Sequence, residues 1–199
     1  MGNIINNVLE HWGISISDFS KLVISNPSLK GMIVGYIAEF QLKKYLKNNN
    51  MLSGFRKDDD HDRNKKGDLV ITYKHKEFIL ESKSLQTNSI KKEGDLFLGK
   101  FQCDASDKRQ IYLQNEEVVN TTCLRFGEFD IIAVPLFGFT NKWDFAFALN
   151  SDLNPSKYKK YPTEIRKQLI SSLQKITYPL QKPYTHDIIE LLDTLLKKE

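Results

Sequence analysis

Two short apolar segments near the middle of the chain carry charges where a buried strand normally carries none. The charged residues are Asp68 in the first segment and Glu81 and Lys83 in the second. In an antiparallel hairpin centred on Lys74 and His75, Asp68 faces Glu81. Facing residues share one side of a sheet, and side chains alternate with a period of two, so Lys83 joins them there. The pattern therefore predicts two carboxylates and one ammonium at one end of a hairpin.

Two opposed carboxylates repel each other, so this arrangement is costly unless a cation lies between them. Mg²⁺ binds one or two carboxylates, keeps several waters and promotes phosphodiester hydrolysis. The alternative is an exposed hairpin that displays these charges to solvent. Val70 and Ile79 would then be apolar residues among the charges, whereas a near-continuous apolar segment is typical of a strand covered on both faces.

Asp68 followed by Glu81-Ser82-Lys83 resembles the PD-(D/E)xK nuclease signature of the restriction-endonuclease-like fold. Gly67 stands where the motif has Pro, and many members of the family lack that Pro. The resemblance implies that Asp68, Glu81 and the backbone carbonyl of Ser82 hold Mg²⁺, for which Mn²⁺ is expected to substitute. It also implies that Lys83 assists the attacking water or stabilises the charged phosphate.

The resemblance further implies an acidic ligand on the helix before the hairpin. Asn26-Pro27 predicts a helix start, and this helix runs to about Lys47. Glu39 lies at the edge of its apolar stripe and matches the family position, while an ordinary boundary glutamate is the alternative. The predicted apolar face consists of Leu29, Met32, Ile33, Tyr36, Ile37 and Phe40.

Basic and polar residues near the motif are candidates for contacts with DNA. Residues 56–66 are dense in charge and contain no apolar residue, which favours a solvated loop over a metal cluster. A polar turn is predicted at 104–107, although turns are polar for reasons of their own. The candidates for nucleic-acid contacts are Lys65, Lys66, Lys100, Gln102, Lys108 and Arg109.

The remaining patterns predict helices and strands in mixed order. Helices are expected at 3–12, from Ser17 to Ile24, at 162–176 and at 185–196. Strands are expected at 101–103, 110–113, 118–126, 129–135 and 143–149. A loop is expected at 84–99, and a turn at Asn115-Glu116. The predicted class is α/β (α+β-like), a restriction-endonuclease-like core with a central mixed β-sheet flanked by helices. We expect a single domain over 1–199, with helices at 3–25 and 162–197 as additions to the core.

Composition sets limits on the class of protein. With 199 residues, 40% of them hydrophobic and 27% charged, the chain is typical of one soluble globular domain. The net charge of +4 is compatible with a polyanionic partner without demonstrating one. No apolar stretch approaches the ~18 residues of a membrane span, and no secretory signal is expected. Two cysteines without metal-ligand spacing, Cys103 and Cys123, predict a cytoplasmic protein.

Together these features predict a Mg²⁺-dependent endonuclease that acts on DNA, with the restriction or DNA-defence type favoured by analogy with the family. A repair, recombination or structure-specific nuclease of the same fold is one alternative, and a non-catalytic nucleic-acid-binding domain is the other. No Gly-rich phosphate loop indicates a nucleotide cofactor. A homodimer is predicted from a broad apolar face on the last helix, although packing within one chain explains that face as well. The face comprises Ile188, Leu191, Leu192, Leu195 and Leu196.

Overall fold

The computed structural model describes residues 7–57, 67–112 and 118–198. The helices are α1 (Val8–His11), α2 (Ile16–Ser25), α3 (Pro27–Lys47), α4 (Phe137–Thr140), α5 (Thr163–Gln168) and α6 (Ile188–Lys197). The strands are β1 (Leu52–Arg56), β2 (Leu69–Tyr73), β3 (Lys76–Ser82), β4 (Lys91–Glu93), β5 (Leu96–Gln102), β6 (Asp104–Tyr112), β7 (Val118–Cys123), β8 (Ile131–Pro135), β9 (Phe145–Leu149) and β10 (Leu173–Tyr178). Three predicted features lie wholly or partly outside the described residues. They are the beginning of the first helix (3–6), most of the charged segment with Lys65 and Lys66, and the turn at Asn115-Glu116.

A central sheet of five strands has the order β1-β2-β3-β8-β9. Its β3–β8 pair is parallel, and its other pairs are antiparallel. Helices α3 and α6 pack against this sheet through a shared apolar core. The predicted class, a mixed α/β fold with a central mixed sheet flanked by helices, is confirmed.

The β2–β3 hairpin has the predicted register. Val70 lies opposite Ile79, and Tyr73 lies opposite Lys76. The two residues of the turn, Lys74 and His75, have φ angles of 47° and 66°. Two-residue hairpin turns of type I′ require positive φ at both positions, because that geometry matches the twist of the flanking strands. The turn thus fixes which residues face each other further along the hairpin.

The sheet is covered on both faces, as the apolar segments predict. Ile131 and Ala133 of β8 belong to the first core, which contains residues of α3 and α6. Ile132 and Val134 belong to the second core, which contains residues of β5 and β10. Successive side chains of a strand point to opposite faces, so the two cores lie on opposite sides of the central sheet.

The second core is closed by a smaller antiparallel sheet with the order β10-β5-β4. A further pair of strands, β6 and β7, is antiparallel and has an irregular register near Asp104. Leu85, two residues after Lys83, forms an isolated bridge with Phe101 of β5. This bridge ties the smaller sheet to the segment that leaves the β2–β3 hairpin.

The helix expected at 162–176 is wrong beyond residue 168. Helix α5 ends at Gln168, and β10 pairs with β5 along its whole length. Gln174 is fully buried, and its amide nitrogen donates to the carbonyls of Asn154 and Ser171, both at 3.0 Å. Pairing with a distant strand and a satisfied buried amide override the local helical pattern, as tertiary context often does.

Two segments expected to lack regular structure form strands. The predicted loop at 84–99 contains β4 and the beginning of β5, and the predicted turn at 104–107 lies within β6. Both expectations rested on polar composition. Here exposed strand positions carry that polarity: all three residues of β4 are exposed, and antiparallel strands often have one face in solvent.

The long helix α3 has its predicted bounds but buries a different face. Ala38, Leu42 and Leu46 are buried, whereas Met32 and Phe40 are 61% and 68% exposed. The start of α2 also differs, because the side chain of Ser15, not Ser17, accepts a hydrogen bond from the Asp18 amide and caps the helix. The broad apolar stripe of α3 therefore did not identify the buried side.

Helix α6 packs its apolar face within the chain. Ile188, Leu191 and Leu192 are buried in the first core, and Leu195 and Leu196 are partly buried against it. This packing explains the face from which a homodimer was predicted, so that prediction no longer has support from α6.

The chain divides into two compact units, Met1–Ile37 and Ala38–Glu199, and the boundary lies within α3. All residues of the candidate site belong to the second unit. None of the helices in the described ranges is long and apolar enough to cross a membrane.

Candidate active site

Asp68 is held at the end of the hairpin by two hydrogen bonds. Its backbone amide donates to the carbonyl of Leu80 at 2.8 Å. Its carboxylate oxygen Oδ2 accepts a hydrogen bond from the amide of Ser82 at 2.7 Å. The side chain thus takes the place of a backbone carbonyl where the β2–β3 ladder ends, which fixes one carboxylate oxygen in position.

The conformation of Gly67 explains why no Pro stands immediately before Asp68. Its φ is +78°, and a Cβ atom there would lie 2.3 Å from Cγ2 of Ile79 and 2.9 Å from the carbonyl oxygen of Leu80. Proline fixes φ near about −65° and adds a ring, so it cannot occupy this position. Glycine is required because the backbone approaches β3 this closely.

Glu81 and Lys83 form an ion pair at the end of β3. Lys83 Nζ lies 2.8 Å from Glu81 Oε1, and their side chains are 21% and 11% exposed. The backbone beneath them is rigid, because Glu81 lies opposite Ile132 and the Lys83 amide donates to the Ala133 carbonyl at 3.0 Å. The pair is therefore presented from a central strand, not from a loop.

The electrostatics of the site follow from burial and from an excess of acid groups. Burial raises the pKa of Glu81 above its ordinary value; the Lys83 ammonium opposes this rise and the charge of Asp68 adds to it. Burial alone would lower the pKa of Lys83, but the charges of Glu81 and Asp68 outweigh burial and raise it. With Lys83 held as an ammonium, one positive charge faces two carboxyl groups.

The donor set suits a hard divalent cation bound through few protein ligands. Within the described ranges, no three or more His, Cys, Asp or Glu residues are grouped so that they could hold a metal. Mg²⁺ needs only one or two carboxylates and retains several waters. Asp68 and Glu81 fit that requirement, and an added cation would offset their uncompensated charge. The ligand role of the Ser82 carbonyl stays a prediction.

Glu39 is engaged with a lysine in the structure. Its Oε2 atom lies 2.6 Å from Nζ of Lys57, and the Glu39 side chain is 22% exposed. Its predicted part in metal binding and catalysis stays a prediction.

The predicted nucleic-acid contacts fall in different surroundings. Lys100 and Gln102 lie on the exposed side of β5, and Lys108 is exposed on β6. Arg109 is largely buried and pairs with Glu128, and its guanidinium also donates to the carbonyl of Cys123 at 3.4 Å. Arg109 therefore has a structural partner, and so does Gln102, whose amide nitrogen donates to Oδ2 of Asp104 at 3.0 Å.

Two residues near the site gave no signal in the sequence. The charge of Glu128 contributes to the raised pKa of Glu81, so the Arg109–Glu128 pair belongs to the same electrostatic environment. Burial raises the pKa of Cys103 to about 12, and the nearby Lys83 ammonium opposes this rise. Both residues approach Glu81 through long-range folding, and neither lies in a recognisable motif.

An open cavity is lined by residues on either side of Glu128. Its volume is about 470 Å³, and its lining includes Phe126, Asp130 and Asn150. Asp130 Oδ2 accepts from the Ile79 amide at 2.7 Å, and Asn150 Oδ1 accepts from the Gly127 amide at 2.8 Å. These two side chains thus satisfy backbone amides beside the ends of β3 and β8.

Comparisons with known proteins identify no family. No protein family model matches the chain, and no curated protein matches it in sequence. Among solved structures, the chain is similar to a bacterial homing endonuclease, I-Ssp6803I, with a TM-score of 0.42 and 15% identity over 83% of this chain and 95% of that chain. A likeness this distant does not establish a common activity.

Proposed function

We propose that this chain is a metal-dependent endonuclease that hydrolyses phosphodiester bonds of DNA, and that it acts in restriction or a related DNA defence. One observation carries the proposal: Glu81 and Lys83 are paired on a central strand beside Asp68. This is the constellation to which the PD-(D/E)xK resemblance assigns hydrolysis. The restriction or defence role rests on the family analogy alone.

Each residue has a defined task in this mechanism. Asp68 and Glu81 would hold Mg²⁺ or Mn²⁺, and the Ser82 carbonyl would complete the protein ligands. The ion, when bound, lowers the pKa of a water and offsets the charge of the phosphate. The ammonium of Lys83, kept charged by the two carboxylates, orients the water or stabilises the negative charge that develops on the phosphate.

Burial and rigidity support this assignment. The Glu81 side chain is only 11% exposed, so its attraction to a cation is screened less than at an open surface. Pairing of β3 with both β2 and β8 limits movement of the carboxylates. Preorganised charges of this kind stabilise a transition state without reorganisation during the reaction.

The direct test is incubation of the protein with supercoiled plasmid, linear duplex and single-stranded DNA, in Mg²⁺ and in EDTA. We expect cleavage that requires Mg²⁺ and disappears in the Asp68→Asn variant, because a neutral amide is a weaker ligand for a hard cation. The control is Asp152→Asn, which removes an exposed carboxylate on the turn after β9.

The outcomes separate the alternatives. Cleavage by Asp68→Asn at the wild-type rate would refute the proposed centre. Cleavage confined to branched or damaged DNA would indicate a repair, recombination or structure-specific nuclease. Binding of DNA without cleavage under any metal condition would indicate a non-catalytic DNA-binding domain.

A further inference from the structure

The outer face of the β10-β5-β4 sheet carries three lysines close together. Lys100 of β5 lies directly opposite Lys175 of β10, and both are exposed. Lys91 of β4 lies opposite Leu98, which is two residues from Lys100 and so on the same face. We call Lys91, Lys100 and Lys175 the lysine face.

This arrangement is unfavourable in the protein alone. Like charges directly opposite each other in an antiparallel pair destabilise a sheet, since their Cβ atoms lie only about 5 Å apart. In the described parts of the chain, no carboxylate forms an ion pair with a residue of the lysine face. Two acids lie nearby: Asp104, which accepts a hydrogen bond from Gln102 at 3.0 Å, and the exposed Glu93 on β4. The face therefore retains uncompensated positive charge.

The lysine face is joined to the candidate active site through the backbone. Two residues after Lys83, Leu85 forms its bridge with Phe101. The amide of the next residue, Gln86, donates to the carbonyl of Lys100 at 2.9 Å. The segment that follows β3 thus forms a hydrogen bond with β5, which carries Lys100. The lysine face is therefore fixed relative to the candidate active site.

We infer that the lysine face binds the phosphate backbone of duplex DNA beside the bond to be cleaved. The inference rests on the proposed function for the choice of DNA as the polyanion. Phosphate contacts from lysine fix the position of a duplex without reading its sequence. The face would thus supply affinity and register, and Lys175 and Lys91 would join the predicted contacts Lys100 and Gln102.

The test measures binding of a short DNA duplex in EDTA, so that cleavage is absent, by fluorescence anisotropy over a series of NaCl concentrations. Each lysine that contacts a phosphate contributes about 0.9 to the slope of log K against log salt concentration. We expect Lys100→Gln and Lys175→Gln each to lower the slope by about that amount, and the double variant by about twice as much.

The matched control is Lys198→Gln, which removes an exposed charge just after α6, the helix that packs on the opposite side of the central sheet. It should leave the slope unchanged. Thermal unfolding provides a second readout: both single variants should unfold at the same or a higher temperature, because each removes a repulsion. This also verifies that the variants are folded.

Slopes unchanged in Lys100→Gln and Lys175→Gln, or lowered equally in Lys198→Gln, would overturn the inference. If the wild-type protein cleaves DNA in Mg²⁺ while these slopes do not change, the lysine face fails and the nuclease proposal stands. If the protein never cleaves but its binding depends on Lys100 and Lys175, the nuclease proposal fails and the lysine face is supported.

Discussion

Asp68 has a structural role as well as its proposed metal-binding role. Its carboxylate accepts the hydrogen bond of the Ser82 amide at 2.7 Å, next to the buried Glu81. Loss of the acceptor would leave a buried N–H without a partner, which costs about 1–3 kcal/mol. Substitutions that remove only the charge and those that remove the acceptor should therefore differ.

We predict that Asp68→Asn and Asp68→Ala both lose Mg²⁺-dependent cleavage but differ in stability. The amide oxygen of Asn can still accept from Ser82, so the free energy of unfolding should stay near that of the wild type. Asp68→Ala should be less stable by about 1–3 kcal/mol. Urea unfolding in EDTA measures this difference. Equal stability of the two variants would show that the hydrogen bond contributes little.

Lys83 is the residue at which catalysis and metal binding can be separated. We predict that Lys83→Met lowers the single-turnover cleavage rate at saturating Mg²⁺ about 100-fold, because the charge that stabilises the phosphate is lost. Mg²⁺ affinity measured by calorimetry should be retained or increased, since a nearby positive charge is gone. Lys198→Met is the control for loss of a lysine elsewhere. A lost Mg²⁺ affinity with an unchanged rate would contradict this role.

At the scale of elements, α6 is attached to the β2–β3 turn through one carboxylate. Asp193 Oδ1 accepts hydrogen bonds from Tyr73 Oη at 2.9 Å and from Lys74 Nζ at 2.7 Å. These hydrogen bonds hold the pKa of Asp193 below its ordinary value, and the hydrogen bond from Lys74 has the larger effect. The contact joins the turn that sets the hairpin register to the helix that covers the first core.

The pH dependence of this contact has a defined sign. A carboxylate with a depressed pKa in the folded state stabilises the fold above its unfolded pKa of about 3.9, and that contribution disappears as the pH falls through the folded value. We predict that Asp193→Asn lowers the urea midpoint slightly at neutral pH and not at all well below about pH 4. Urea unfolding of both proteins at the two pH values measures the effect. The same difference in urea midpoint at both pH values would contradict an electrostatic origin of this stabilisation.

Gln174 is the buried polar residue around which the segment after α5 is hydrogen-bonded. It is fully buried, and its amide makes hydrogen bonds with Asn154 and Ser171. We predict that Gln174→Leu destabilises the protein by at least about 2 kcal/mol, because backbone groups that it satisfies lose their partners. The exposed Gln102→Leu substitution on β5 is the control and should cost far less. Denaturant unfolding measures both variants, and an equal loss of unfolding free energy in Gln174→Leu and Gln102→Leu would refute this role for Gln174.

At the scale of the whole molecule, the number of active centres determines the product. One centre cuts one strand per encounter, so a small nuclease that breaks both strands in one encounter usually presents two centres related by two-fold symmetry. We predict that the ratio of linear to open-circle plasmid rises with protein concentration, as a homodimer that forms on DNA requires. Light scattering with and without DNA gives the oligomeric state. A strict monomer that yields only open circles would exclude the homodimer.

The local part of the site could be predicted from the sequence. The hairpin turn at Lys74-His75 and the two-residue alternation of strands place Asp68 near Glu81 and Lys83, and the structure has that register. These relations span few residues, so the pattern of side chains suffices to predict them. The bounds of α3 could also be predicted from the sequence, because Asn26-Pro27 and the triple asparagine after Lys47 are local signals.

Which distant segments meet could not be predicted from local sequence patterns. Three features depend on contacts between residues far apart in the chain: the opposition of Lys100 and Lys175, the pairing of Arg109 with Glu128, and the change from helix to strand after α5. Periodicity reports which face of an element is apolar, but not which element covers it. The face of α3 that is buried was for that reason predicted wrongly, since burial depends on the partner as well as on the stripe.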